Sequence, residues 1–357
     1  MNPTVYKSKA ILKTIAVNIF IIAFIPLFLE LVVRIYTNAS STTSRYNISR
    51  YISALFNQQY DTPLNSSSLR HPTPYIAFKG QPLVGDHDAS GYRTIDPDSK
   101  HLDSLPNTIK IAFYGGSTGY LGNPPIPTLL AHNLRAKQIP VSIQNFSIVS
   151  SNHNQHMHSM LEDLPLQHYD LILFYGGYNE LLQPAFYDPR PGYPYNFALT
   201  ETISPELQVI YKHSILFRLI VRKIYGNESI FASGYKNPIF GDTWSDSITS
   251  NYLSVLKKSS LVAKTLTSGR CKTPFIVVLQ PFQLSQSPPS FRKRVIEVVG
   301  AKIQSIPYAI NLSSKLPELL DNFTDIVHLD DSGNQFIAKQ LSTSPILMNA
   351  LASCEPD

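Results

Sequence analysis

At 357 residues with 43% hydrophobic and 15% charged side chains, the chain is long and apolar enough for one large domain plus an appendage. Its net charge of +5 is modest and comes with no basic stripe of interleaved aromatics, which excludes nucleic acid as a partner. Two cysteines, Cys271 and Cys354, can pair in an oxidising compartment or stay as thiols, and the sequence leaves that choice open.

Residues 14–33 are almost continuously apolar, interrupted by Asn18, Pro26 and Glu30. A run of about 20 such residues crosses a bilayer core as a helix. Lys7, Lys9 and Lys13 precede it, which favours a cytoplasmic N-terminus and a translocated remainder, although Arg34, Arg45 and Arg50 follow. A cleaved signal peptide is the competing reading. The run at 15–29 is long for such a leader, and Glu30, Arg34 and Tyr36 separate it from the nearest small-residue site around Ala39. Residues 1–36 therefore read as a cytoplasmic N-terminus and membrane anchor, and either reading puts the remainder outside the cytoplasm, periplasmic or extracellular.

Residues 37–106 are polar and aromatic with scattered glycines and read as a juxtamembrane segment, with one short strand at 91–95. From 107 onward the pattern alternates: strand 109–114, helix 127–137, strand 141–146, helix 155–163, strand 170–175. After an insertion at about 184–246 come helix 247–267, strand 274–280, helix 289–304, a short segment at 308–311 and a closing helix at 333–341. Such alternation argues for a parallel sheet covered on both faces, with ligands gathered at the carboxyl ends of its strands. The domain spans 107–350.

Within the insertion, residues 184–197 are rich in rings and prolines, which suits either a substrate wall or a packed surface loop. Ser204-Pro205-Glu206 starts a basic amphipathic helix, read as a lid or core helix in preference to one resting on a membrane.

The chemistry concentrates at strand ends. The first strand of the domain runs into Gly115-Gly116-Ser117-Thr118-Gly119, where glycines permit the turn and close approach that a nucleophile needs, so Ser117 is the candidate nucleophile. A serine hydroxyl requires an imidazole to take its proton and a carboxylate to orient the ring; Asp325-Ile326-Val327-His328 supplies both within one turn. The strand at 170–175 ends in Gly176-Gly177-Tyr178-Asn179-Glu180, which places the Asn179 amide where it can donate to an oxyanion.

The order and wording of these segments resemble the SGNH (GDSL-like) hydrolase superfamily over roughly residues 107–345, about two thirds of the chain. The matching blocks are Gly115-Gly116-Ser117-Thr118, the segment from Asn145 to Asn152, Gly177-Tyr178-Asn179-Glu180, and Asp325 to Asn334. The resemblance implies a three-layer α/β/α, flavodoxin-like fold with a central parallel sheet, here preceded by the N-terminal transmembrane helix. It also implies catalysis by Ser117, Asp325 and His328, with an oxyanion hole from the N–H groups of Ser117 and Ser150 and the side chain of Asn179. Two positions depart from the family pattern. Ser150 stands where a glycine is usual, keeping the backbone donor but not the freedom of glycine, and Glu180 replaces an aspartate. The literal Gly-x-Ser-x-Gly at 115–119 invites an α/β-hydrolase reading, but that fold has several strands before its nucleophile and keeps acid and histidine on separate loops.

The smaller signals are weaker. His153, His156 and His158 lack a full ligand shell for zinc and read as polar rim near the cleft. Glu162 with Asp163, and Asp330 with Asp331, are adjacent pairs that read as solvated instead of as glycosidase carboxylates. The combined expectation is a membrane-anchored esterase acting on an oxygen ester of a small molecule, glycan or lipid, with no metal or organic cofactor. An O-acyltransferase of cell-surface polysaccharide and a non-catalytic binding protein that keeps the fold are the alternatives.

Overall fold

A short antiparallel hairpin of β1 (Arg70–Thr73) and β2 (Ala77–Gly80) precedes the helical turn α1 (Ser99–Leu102) in the computed structural model. The alternating core follows as β3 (Ile109–Gly115), α2 (Ser117–Tyr120), α3 (Ile126–Arg135), β4 (Val141–Asn145), α4 (His153–Asp163), β5 (Leu171–Gly176) and α5 (Tyr178–Leu181). Then come α6 (Asp242–Leu266), β6 (Phe275–Leu279), α7 (Pro289–Gln304), β7 (Ala309–Asn311), a 3-10 helix (Ser313–Asn322), α8 (Asp331–Thr343) and α9 (Pro345–Ala352). The structure describes residues 70–73, 75–102, 105–164, 168–181, 242–283 and 289–355, with scattered positions between 14 and 35 and between 210 and 220. The chain divides into two units, Met1–Thr62 with Leu199–Gly234, and Pro63–Ala198 with Tyr235–Asp357.

In the larger unit the five core strands are all parallel, in the order β4-β3-β5-β6-β7. Their register pairs Ile111 with Ile143, Phe113 with Leu173, Phe174 with Val277 and Val278 with Ile310. The central runs β5 and β6 are apolar on both faces because helices cover both. Alternate residues point opposite ways. Ala112, Tyr114, Ile172, Phe174 and Val277 meet Met160 of α4, Leu256 of α6 and Val299 of α7. Ile111, Phe113, Leu173, Tyr175 and Val278 meet Leu130 of α3, Ile337 of α8 and Leu347 of α9. Each fully buried Leu, Ile, Val, Phe or Met among them contributes about 1.5–3 kcal/mol. Strand order reverses between β3 and β5, so the turns after those two strands flank the crevice where parallel sheets bind ligands.

Local chemistry sets the boundaries. Helix α4 begins at His153, two residues ahead of the expected start, because Asn152 and Gln155 form a reciprocal capping box, each side chain accepting the other's N–H at 3.1 Å. The strand expected at 91–95 does not form. Its backbone groups are taken locally instead: Tyr92 N–H donates to Asp88 Oδ1 at 3.0 Å, Tyr92 O accepts Asp88 N–H at 2.8 Å, and Arg93 O accepts Asn145 Nδ2–H at 3.0 Å. This segment is part of the domain's core. Ile76, Phe78 and Tyr92 are buried, and Arg93 Nη1 donates to the carbonyls of Tyr120 and Gly122 at 2.7 and 2.9 Å.

Cys271 and Cys354 form a disulfide, which resolves the open alternative and ties the approach to β6 to the end of the chain. Asp163 is not solvated: it accepts Lys79 Nζ at 2.9 Å and the Tyr92 hydroxyl at 2.7 Å. Asp330 caps α8 by accepting Gly333 N–H at 2.7 Å.

In the smaller unit, positions 24–33 are helical and present exposed Phe24, Leu27, Phe28 and Leu31. Glu30, the charge inside the apolar run, accepts the Ser214 hydroxyl at 2.9 Å and the N–H groups of Ile215 and Leu216 at 3.0 and 2.9 Å. Among the described residues no helix is long and apolar enough to cross a membrane. The aromatic loop at 184–197, the helix start at Ser204-Pro205-Glu206 and residues 37–69 lie outside the described residues.

Candidate active site

Three segments converge on Ser117. The first is the end of β3, where Gly116 caps the four-residue helix α2 and its carbonyl accepts the N–H groups of Gly119 and Tyr120, both at 3.1 Å. Gly116 has to be glycine: a Cβ there would lie 2.5 Å from Asn179 Nδ2. Ser117 stands half-buried at the head of this turn.

The second segment carries the candidate base, His328. Thr324 N–H donates to His328 O at 2.9 Å, closing residues 324–328 into a tight loop just before the Asp330 cap of α8. Within the loop Asp325 Oδ1 accepts the N–H groups of Val327 and His328, both at 2.8 Å, and Asp325 Oδ2 lies 2.6 Å from His328 Nδ1. His328 Nε2 is 2.7 Å from Ser117 Oγ. The chain Asp325, His328, Ser117 is thus continuous. Its directions are set by chemistry: the carboxylate accepts Nδ1–H, which leaves Nε2 as the acceptor for the serine proton. Partial burial pushes the Asp325 carboxyl up, but the His328 ring and the two backbone N–H groups outweigh it and hold it below the usual carboxylate range. Asp325 therefore stays ionised at neutral pH.

The third segment supplies donors. Among the described residues the N–H groups of Ser117 and Ser150 donate to no protein acceptor. Ser150 adopts φ +68°, the left-handed region that glycine occupies readily and serine does not. Asn179 Nδ2 donates one hydrogen to Ser151 O at 2.7 Å, leaving its second for an oxyanion.

Other residues enter the site that sequence reasoning passed over. Thr118 Oγ1 donates to Gln280 Oε1 at 3.0 Å, bracing the residue after the candidate nucleophile against the end of β6. Ser151 receives Asn179 on its carbonyl; the only signal for it is its place one residue ahead of the Asn152 cap. His153 and His156 are buried instead of forming a polar rim, while His158 is half-buried. With Glu180 these two rings bring ligand-type atoms within 4.8 Å of one another behind the donor turns.

No protein-family model and no curated protein sequence matches the chain. Solved structures do match. The acetyl xylan esterase AlAXEase is 14% identical, covering 65% of this chain and 97% of its own at a TM-score of 0.38. Axe2, an acetylxylan esterase from Geobacillus stearothermophilus, is 14% identical, covering 66% and 94% at 0.36. A protein described as a GDSL-like lipase from Parabacteroides merdae is 16% identical, covering 70% and 98% at 0.39. Likeness of this degree carries no functional argument. The architecture is that of a parallel-sheet α/β protein whose candidate nucleophile follows the first strand of its sheet. That position does not fit the α/β-hydrolase elbow, which has several strands ahead of the serine.

Proposed function

We propose that the protein is a serine esterase that hydrolyses oxygen esters outside the cytoplasm. The observation that carries this reading is the unbroken hydrogen-bond chain from Asp325 through His328 to Ser117, beside the amide of Asn179 and the backbone N–H groups of Ser117 and Ser150, which meet no acceptor among the described residues. Ser117 Oγ attacks the acyl carbon as its proton passes to His328 Nε2, and Asp325 stabilises the resulting imidazolium. The three donors hold the tetrahedral oxyanion. Collapse of that intermediate releases the alcohol, protonated from His328, and leaves an acyl-serine. Water, deprotonated by the same ring, then frees the acid and restores Ser117.

Two observations support the location. The Cys271–Cys354 disulfide suits an oxidising compartment. The exposed apolar side chains at 24–31 suit contact with a membrane that tethers the chain. Retention of the protein in the membrane pellet after alkaline carbonate extraction is expected; full release contradicts the tether.

The test of the activity is steady-state hydrolysis of p-nitrophenyl acetate and butyrate by the wild type and by Ser117→Ala. Turnover that the substitution abolishes supports the reading, and equal turnover by both proteins contradicts it.

A further inference from the structure

The turns after β4 and β5 are joined beneath the site by a buried polar chain that the proposed chemistry does not use. Glu180 accepts His153 N–H on Oε1 at 2.8 Å and Gly177 N–H on Oε2 at 2.6 Å. His153 Nδ1 lies 3.1 Å from Glu180 Oε1 and 3.3 Å from His156 Nδ1. His156 Nε2 lies 2.8 Å from Ser151 Oγ, which is in turn 2.7 Å from Ile148 O and 3.0 Å from Gly115 O. The two rings are 0% and 2% exposed, and that burial holds both in the neutral form.

The hydrogens can be placed by elimination, because a neutral imidazole carries one N–H and a serine hydroxyl one O–H. Two carbonyls compete for the Ser151 proton, so the Ser151 oxygen turns a lone pair to His156, whose Nε2 carries the hydrogen. His156 Nδ1 is then a bare acceptor, and the hydrogen facing it belongs to His153 Nδ1, shared with Glu180. With Glu180 ionised, every contact pairs a donor with an acceptor, and His153 Nε2, a bare lone pair, is the one atom of the chain left unpartnered. A zinc ion held by the same groups fits less well. Three protein ligands fall short of the four that structural zinc takes, and the His153 ring would bury an Nε2–H with no acceptor, where metal-bound histidines give that hydrogen to a partner.

We propose that His153 and His156 are positioning residues: their directional N–H chain from Glu180 to Ser151 holds the two oxyanion-donor turns in register. The proposal rests on the esterase reading. Ser151 is the lever, since its hydroxyl ends the chain, its carbonyl receives Asn179, and its neighbour Ser150 is held in the left-handed region.

The test compares kcat and KM on p-nitrophenyl acetate for wild type, His156→Asn and His156→Gln. The glutamine amide reaches the place of Nε2 and can donate to Ser151; the asparagine amide cannot. His156→Asn is expected to lose roughly 10- to 100-fold in kcat, the scale of a misplaced catalytic group, with KM changed by less than about 3-fold. His156→Gln is expected to keep kcat within about 5-fold of wild type, while both variants lose similar thermal stability. Equal kcat in the two folded variants, or one equivalent of zinc in the purified wild type, overturns the proposal. If His156→Asn does not fold, Ser151→Ala removes the end of the chain alone; lowered kcat supports the proposal and wild-type kcat overturns it. If the wild type hydrolyses no ester, the esterase reading fails separately. Imidazole nitrogen NMR then decides: hydrogens on His153 Nδ1 and His156 Nε2 support the chain, and the opposite tautomers overturn it.

Discussion

Asn179 Nδ2 donates to the carbonyl of Ser151 at 2.7 Å, linking the turn after β5 to the turn after β4 across the switch point of the sheet. The same amide is the side-chain donor of the proposed oxyanion hole. Asn179→Ala is therefore expected to lower kcat by about 10²–10³-fold, the usual effect of deleting one such donor. It also leaves a carbonyl without its partner, at about 1–3 kcal/mol of stability. Parallel kinetics and denaturant melts check both; an unchanged kcat removes Asn179 from the hole.

Ser150 holds φ +68° where glycine would be unstrained. Relief of that strain, about 1–2 kcal/mol, outweighs the added chain entropy of glycine in the unfolded state, about 0.4–1 kcal/mol. Ser150→Gly is expected to raise unfolding free energy by roughly 0.5–1 kcal/mol and to keep esterase activity, since the donor is the backbone N–H. A lower urea midpoint contradicts this.

The buried rings set how stability changes with pH. Burial holds His153 down to about 3 and His156 well below 6.5, so below 6.5 the unfolded chain takes up two protons that the native state refuses. Glu180 acts in the opposite sense. Burial lifts it from 4.5 to about 7 against the N–H bonds from Gly177 and His153, so the native state retains a proton that the unfolded chain releases. Two uptakes set against one retained proton leave a net uptake on unfolding, so stability should fall as the pH drops below 6.5. His156→Gln removes one uptake and should flatten that slope; melts across the range that keep the wild-type slope contradict the assignment.

The disulfide spans 83 residues of sequence and anchors the end of the chain beside β6. Reduction, or paired serine substitutions at Cys271 and Cys354, is expected to cost about 2–4 kcal/mol and to lower Tm by roughly 5–15 °C. Equal Tm with and without reductant contradicts this.

The triad segments are readable because their chemistry is local. Ser117 sits in a glycine turn at the end of an apolar run, and Asp325 and His328 share one loop ahead of a capped helix. The sheet is readable for the same reason, since β5 and β6 are unbroken apolar runs and β3 is interrupted by Lys110 alone. What pattern reading cannot supply is long-range polar pairing. Asp163 looks solvated until Lys79 and Tyr92, more than 70 positions away, close over it. His153 and His156 look like rim until Glu180 meets them. The strand expected at 91–95 fails because Asp88 and Asn145 take backbone groups that a ladder would need. None of these partners leaves a periodic trace.

Activation of Ser117 by His328 is read out by labelling the full-length chain with a fluorophosphonate probe. One adduct is expected, mapped by peptide mass to Ser117, formed by the wild type and lost in His328→Ala. A wild-type chain that takes no probe, or an adduct on another serine, would contradict it.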